Sequence, residues 1–166
     1  YLNNLVILNS PSKTFNLAGL NSSYIICKNP TLKKRLNSVI NKHHIGSVNI
    51  FGLESIISAY NKGEEWLEFL LQYLKDNINY VDDFLKENNN SITFNKPEAT
   101  YLLWLNFSKI KDSHKNIFDR LLHNANLVLN DGSTFGKEGK YYFRLNIALS
   151  KNELIKSLSY LNNEFN

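Results

Sequence analysis

Lys13 is the residue whose surroundings most suggest chemistry. An apolar run, Leu5-Val6-Ile7-Leu8, ends at Asn9-Ser10-Pro11. The lysine follows among small and hydroxylated residues, ahead of the apolar, glycine-containing stretch Phe15-Asn16-Leu17-Ala18-Gly19-Leu20. A lysine at a strand end, backed by apolar surface, is well placed to lose hydration. Desolvation lowers an amine's pKa, and a neutral amine can attack a carbonyl carbon. By itself the residue type says little, because most lysines of a basic chain are solvated charges.

Other candidates carry less. His43 and His44 are adjacent, so on a helix they do not face one way, and no cysteine or carboxylate stands at ligand spacing from them. No metal site is expected. His114 and His123 lack evident partners, and no Ser-His-Asp or Cys-His arrangement emerges. Glycines 132, 136 and 139 fit neither a dinucleotide fingerprint nor a P-loop and read as turn residues.

The elements that must carry these groups follow from periodicity. Residues 1–10 are expected to form a buried strand, and 11–30 a loop region with a second apolar piece, Tyr24-Ile25-Ile26-Cys27. Asn29-Pro30-Thr31 opens a helix over 31–42 that places Leu32, Leu36, Val39 and Ile40 on one face. A further helix follows Asn49-Ile50-Phe51-Gly52 to about residue 60, and Asn61-Lys62-Gly63 marks a joint.

From Glu64 the helical period is strong. Trp66, Phe69, Leu70, Tyr73, Leu74, Tyr80, Val81, Phe84 and Leu85 keep spacings of three and four, interrupted at Asn77, and the stripe is expected to be core. Glu64 and Glu65 suit the positive end of the helix dipole. Continued to Glu87, this helix would be roughly 35 Å long, a length suited to bridging two domains. Asn88-Asn89-Asn90-Ser91 ends it.

Beyond that point, strands are expected at 92–94, 101–105, 127–129 and 141–149. Asp112-Ser113 caps a helix with Ile117, Phe118, Leu121 and Leu122 on one side. Ser150-Lys151-Asn152-Glu153 is a capping box for a last helix with Leu154, Ile155, Leu158 and Leu161 inward. The second half therefore reads as an α+β layer of short strands and covering helices.

Composition narrows the function classes. A chain of 166 residues can bury an adequate core, and an apolar content of 43% does not suggest disorder. No run of eighteen apolar residues occurs, so a membrane span is not expected, and Tyr1-Leu2-Asn3-Asn4 lacks the charged start of a secretory leader. Cys27 is the single cysteine, which excludes an internal disulfide and fits a reducing, cytoplasmic compartment. The net charge is +4, but the lysines are dispersed. The short cluster Lys33-Lys34-Arg35 reads as a solvated helix face rather than a nucleic-acid site.

Motifs along the chain carry a resemblance. Ser10-Pro11-Ser12-Lys13-Thr14-Phe15-Asn16-Leu17-Ala18-Gly19-Leu20 is similar to the lysine segment of class I/II aminotransferase-family enzymes that use pyridoxal 5'-phosphate, and nearest to their cystathionine β-lyase (C–S lyase) branch. Lys62-Gly63-Glu64-Glu65-Trp66-Leu67 with Asn79-Tyr80-Val81 resembles the branch's bridging helix. Pro97-Glu98-Ala99-Thr100-Tyr101-Leu102-Leu103-Trp104 resembles its small-domain strand region. Asp131-Gly132-Ser133-Thr134-Phe135-Gly136, Gly139 and Phe143-Arg144-Leu145-Asn146-Ile147-Ala148 resemble its substrate-binding end.

The resemblance implies an α/β fold: the C-terminal part of a fold-type I pyridoxal-phosphate-dependent transferase. Residues 1–60 would end the cofactor-binding large domain, and 61–166 would supply the bridging helix and a small α+β C-terminal domain. Lys13 would carry the cofactor and act as the catalytic base. Ser10 would contact its phosphate, with Ser12 as a second contact, and Arg144 would bind the substrate carboxylate. Arginine suits that role, since its planar fork makes two parallel hydrogen bonds to a carboxylate.

The resemblance begins near the middle of the family pattern. The implied partners are therefore an amino-acid substrate, the missing N-terminal half of the same enzyme and a second subunit. β-Elimination from sulfur amino acids is the favoured activity, with the 166-residue fragment inactive alone. Transamination, or a non-catalytic effector domain of a regulator, stands as the alternative.

Overall fold

Local signals set most of the element ends. The computed structural model describes residues 2–89 and 91–166. Tyr1 and Asn90, which belong to the expected first strand and to the expected helix end, lie outside the described residues. The chain divides into two compact units, one through Phe69 and one from Leu70 onward.

In the first unit, strand β1 (Val6–Asn9) pairs antiparallel with β2 (Tyr24–Cys27), Ile7 opposite Ile26 and Leu8 opposite Ile25. Helix α1 (Pro30–Lys42) starts where the Asn29 side chain accepts hydrogen bonds from the Thr31 and Leu32 N–H groups. Helix α2 (Ile50–Lys62) starts likewise, with Asn49 accepting from Gly52 N–H at 2.7 Å. Both are asparagine N-caps, each satisfying donors that the first helical turn leaves unpaired.

The expected burial of the first strand is not found. Leu8 is 73% exposed, and Ile7, Ile25 and Ile26 are exposed as well. The reason is topological: β1 and β2 form a sheet of two strands, too small to enclose apolar side chains on either face.

Helix α3 (Glu64–Asn88) runs as its periodicity requires. Leu74, Val81 and Leu85 are buried, but Trp66 and Phe69, expected in the core stripe, are exposed. Asn77, the polar interruption, is buried and donates through Nδ2 to the Ile147 carbonyl at 3.0 Å. Tyr73 Oη donates to the Leu149 carbonyl at 3.0 Å. The helix thereby holds the chain that leaves the last strand at two points.

The second unit is built on β3 (Leu102–Asn106), β4 (Asn130–Asp131) and β5 (Tyr142–Asn146), an antiparallel sheet in the order β3-β5-β4. Leu103, Leu105, Phe143 and Leu145 alternate onto one face and are buried. Helix α4 (His114–His123) contributes Ile117 and Leu121, and α5 (Lys151–Phe165) adds Leu154, Leu158, Leu161 and Phe165. Both helices carry the expected serine caps: Ser113 accepts from Asn116 N–H, and Ser150 from Glu153 N–H.

Three expectations here are corrected. Residues 127–129 form no strand, and Val128 is 87% exposed, since pairing with β5 begins only at Asn130. Residues 92–94 make a single bridge, Thr93 to Asn106, rather than a strand. Ile155 points away from the core, because α5 buries the line through Leu154, Leu158 and Leu161.

Candidate active site

Lys13 stands on the turn after β1. Ser10 ties that turn: its hydroxyl donates to the Ser22 carbonyl at 2.6 Å and accepts from Ser12 N–H at 3.2 Å. Phe15 N–H then reaches the Pro11 carbonyl and Leu17 N–H the Ser12 carbonyl, closing two overlapping turns around residue 13. Asn16 completes the bend with φ 55°, a left-handed conformation that asparagine tolerates better than most residues.

Phe15 packs edge-on against Tyr60 and stacks on Trp66, with centroids 5.6 and 6.2 Å apart. A side chain at Gly63 would strike the Phe15 ring, so glycine there permits the approach. The turn is thus held at both ends while its apex projects.

The expected desolvation of Lys13 is absent. The residue is exposed, and among the described residues its amine makes no hydrogen bond or ion pair. Ser12 is half-buried and its hydroxyl has no partner among the described residues. The turn therefore presents an uncommitted amine and an uncommitted hydroxyl, while the Ser10 proton is engaged by Ser22.

Arg144 lies in the second unit, on the central strand and on the face opposite the core. Its register partners are Trp104 on β3 and Asn130 on β4. Asn130 Oδ1 accepts from Arg144 Nη2 at 3.0 Å, and the Phe135 ring centroid lies 5.0 Å from the guanidinium carbon. Trp104 meets Phe135 edge-on at 5.6 Å and stacks on Tyr142 at 5.8 Å. The Nε donor of Arg144 is buried with no partner.

The loop beside Arg144 is fastened by residues whose roles the sequence hid. His114 was expected to be without a partner, but its Nε2 lies 3.0 Å from Asp131 Oδ1 and its Nδ1 accepts from Tyr141 N–H at 3.2 Å. This assigns the Nε2–H tautomer, with the carboxylate as acceptor. Burial opposes ionisation of Asp131, yet hydrogen bonds from Ser133 and His114 outweigh it and hold the carboxyl below its usual range.

Gly132 and Gly139 pack backbone to backbone, so a side chain at either would strike the other's carbonyl. They are close-approach residues as well as turn residues. Gly136, with φ 139°, supplies a bend that other residues rarely adopt. Asp131 and Phe135 could have been suspected from their place in the Asp131–Gly136 motif, whereas Asn130 stands just before it. His114, seventeen positions away, carried no such signal.

Across residues 1–160 the chain matches the family model for aminotransferase class I and II, and it belongs to that family of pyridoxal-phosphate-dependent enzymes. It is 34% identical over 141 residues to cystathionine beta-lyase PatB of Bacillus subtilis, covering 85% of this chain and 36% of that protein. With the cystathionine beta-lyase of Corynebacterium glutamicum it shares 32% identity over 158 residues, 94% of this chain and 41% of the relative. The crystal structure of cystalysin from Treponema denticola, which contains pyridoxal 5'-phosphate, superposes with a TM-score of 0.93 at 29% identity over 98% of this chain and 41% of that one. The chain thus spans about two fifths of the length of these proteins.

Among the described residues no cluster of histidine, cysteine and carboxylate groups could hold a metal ion. Nor is any helix among them long and apolar enough to cross a membrane.

Proposed function

We propose that the protein containing these 166 residues is a pyridoxal-phosphate-dependent C–S β-lyase that releases a thiol, pyruvate and ammonia from sulfur amino acids such as cystathionine. The observation that carries this reading is the uncommitted Lys13 amine, on a turn tied by Ser10, in a chain whose relatives include two cystathionine β-lyases. The donor set suits the cofactor: an amine for its aldehyde, and the Ser12 hydroxyl for its phosphate. Ser10 could join only by turning its proton away from the Ser22 carbonyl.

When bound, the cofactor supplies the electron sink that makes the substrate Cα–H acidic. Lys13 would hold it through Nζ, and the same amine, when free, would take the substrate Cα proton. Loss of that proton would let the Cβ–S bond break with the electron pair leaving on sulfur, which takes up a proton as the thiol. Water would hydrolyse the released enamine to pyruvate and ammonia. Arg144 grips the α-carboxylate and so decides which way the amino acid lies.

Residues 1–60 belong, on this reading, to the cofactor-binding domain and 61–166 to the bridging helix and small domain. The remainder of the cofactor pocket comes from the rest of the protein, and the active species is a homodimer in the cytoplasm. The 166 residues alone turn over nothing.

The full-length protein should release pyruvate from cystathionine, and Lys13→Ala should abolish this. Pyruvate release that survives Lys13→Ala, or release by the isolated chain, would overturn the proposal. Transamination is the second reading, favoured by the family model's own description. Amino transfer to a 2-oxo acid without pyruvate release would establish it instead.

A further inference from the structure

The guanidinium of Arg144 is placed by its neighbours. Asn130 Oδ1 takes one proton of Nη2, the Phe135 ring covers one side, and Trp104 supports that ring from the next strand. Phe135 is itself 58% exposed, so the covering ring lies at the surface rather than in the core. The buried Nε has no partner, and Nη1 makes no hydrogen bond among the described residues. The arginine is thus oriented without being saturated.

We propose that Asn130 and Phe135 are the positioning residues of the carboxylate grip, holding Arg144 so that its remaining donors meet a planar anion. This deepens the proposed function and rests on the carboxylate role given there to Arg144. The choice of an amide at position 130 follows from charge. A neutral acceptor orients the guanidinium and leaves its charge for the ligand, whereas a carboxylate there would form its own ion pair and compete. Phe135 adds attraction between the cation and the negative ring face and keeps water from that side. Orienting a long side chain before binding lowers the ordering cost paid by the complex.

The test uses the full-length protein with two readouts, the KM and kcat for cystathionine and the dissociation constant of propionate as a bare carboxylate probe. Asn130→Ala is expected to raise KM and weaken propionate about tenfold, the loss typical of one charge-assisted hydrogen bond, with kcat changed by less than about twofold. Asn130→Asp keeps the hydrogen bond and the melting temperature but is expected to weaken carboxylate binding at least as much. Phe135→Leu should weaken binding several-fold and Phe135→Tyr should restore it.

The outcomes separate the two layers of the argument. If Arg144→Ala leaves propionate binding unchanged, the carboxylate role of Arg144 falls and this proposal with it. If Arg144→Ala weakens propionate but the Asn130 and Phe135 variants do not, the positioning role alone is wrong. Full rescue by Asn130→Asp would also overturn it, because a merely structural hydrogen bond does not distinguish the two acceptors.

Discussion

Residues through Phe69 and residues from Leu70 onward use the same kinds of side chain to opposite effect. Among the described residues, Pro11 apart, every buried aliphatic or aromatic side chain lies at Leu74 or later. The earlier unit exposes Leu8, Ile26, Val39, Ile50, Phe51 and Phe69 to more than two fifths of their area. The later unit closes a core because a sheet face and the inner faces of three helices converge on it. Among its described residues the earlier unit has two strands, two amphipathic helices and the start of α3, but no third layer to complete an enclosure. The contrast teaches that apolar periodicity specifies a face and leaves open whether that face is covered.

The two candidate residues inherit this difference. Arg144 stands in a frame of strand pairing, ring contact and hydrogen bond. Lys13 stands on a turn with an uncommitted amine.

Core truncation tests the contrast most strongly. Phe143→Ala removes a fully buried ring packed against Phe107 and should cost about 3–5 kcal/mol in urea denaturation. Leu8→Ala in the earlier unit should change stability by less than about 0.5 kcal/mol. Equal losses would erase the distinction between the units.

A second pair sharpens it at the level of the backbone. Gly132→Ala drives a methyl into the Gly139 and Tyr142 carbonyls and should cost about 1–3 kcal/mol. Gly19→Ala meets nothing within 4 Å and should be close to neutral.

Charge pairs should give smaller effects. Arg120 Nε donates to Glu164 at 2.6 Å, and its guanidinium also lies over Phe165, joining α4 to α5. Arg120→Ala should cost on the order of 1 kcal/mol, since the pair is partly exposed.

Hydrogen bonds from Arg120 and Asn124 hold the Glu164 carboxyl below its usual range. A folded-state value below the unfolded one contributes stability above the unfolded value, near pH 4, that is lost as pH falls through the folded value. Thermal melts of the parent chain should therefore fall off in acid more steeply than those of Arg120→Ala. Lys13→Ala should leave the melting temperature nearly unchanged, because no hydrogen bond or ion pair of its amine is lost.

Much of the fold was legible from local signals, and for identifiable reasons. The asparagine and serine caps at 29, 49, 113 and 150 act within three residues, so their chemistry is written side by side. The helical stripe in α3 was equally plain, including its interruption at Asn77, although the Ile147 carbonyl that satisfies that amide is seventy positions away. Strand β4 was misplaced because Leu127-Val128-Leu129 is the more strand-like composition, whereas pairing with β5 starts at Asn130. Composition reports a preference; the ladder reports which residues find partners.

Lys13, Ser10, Ser12 and Arg144 stood out through motifs contiguous in the chain. Their surroundings did not, since Ser22 engages Ser10 from twelve positions on, and His114 secures the loop beside Arg144 from a separate helix. Residue order alone determined family, helix starts and candidate groups, because each depends on neighbours a few bonds apart. Burial, the histidine tautomer and the orientation of the guanidinium were decided by folding, which brings distant donors, acceptors and apolar faces within contact range.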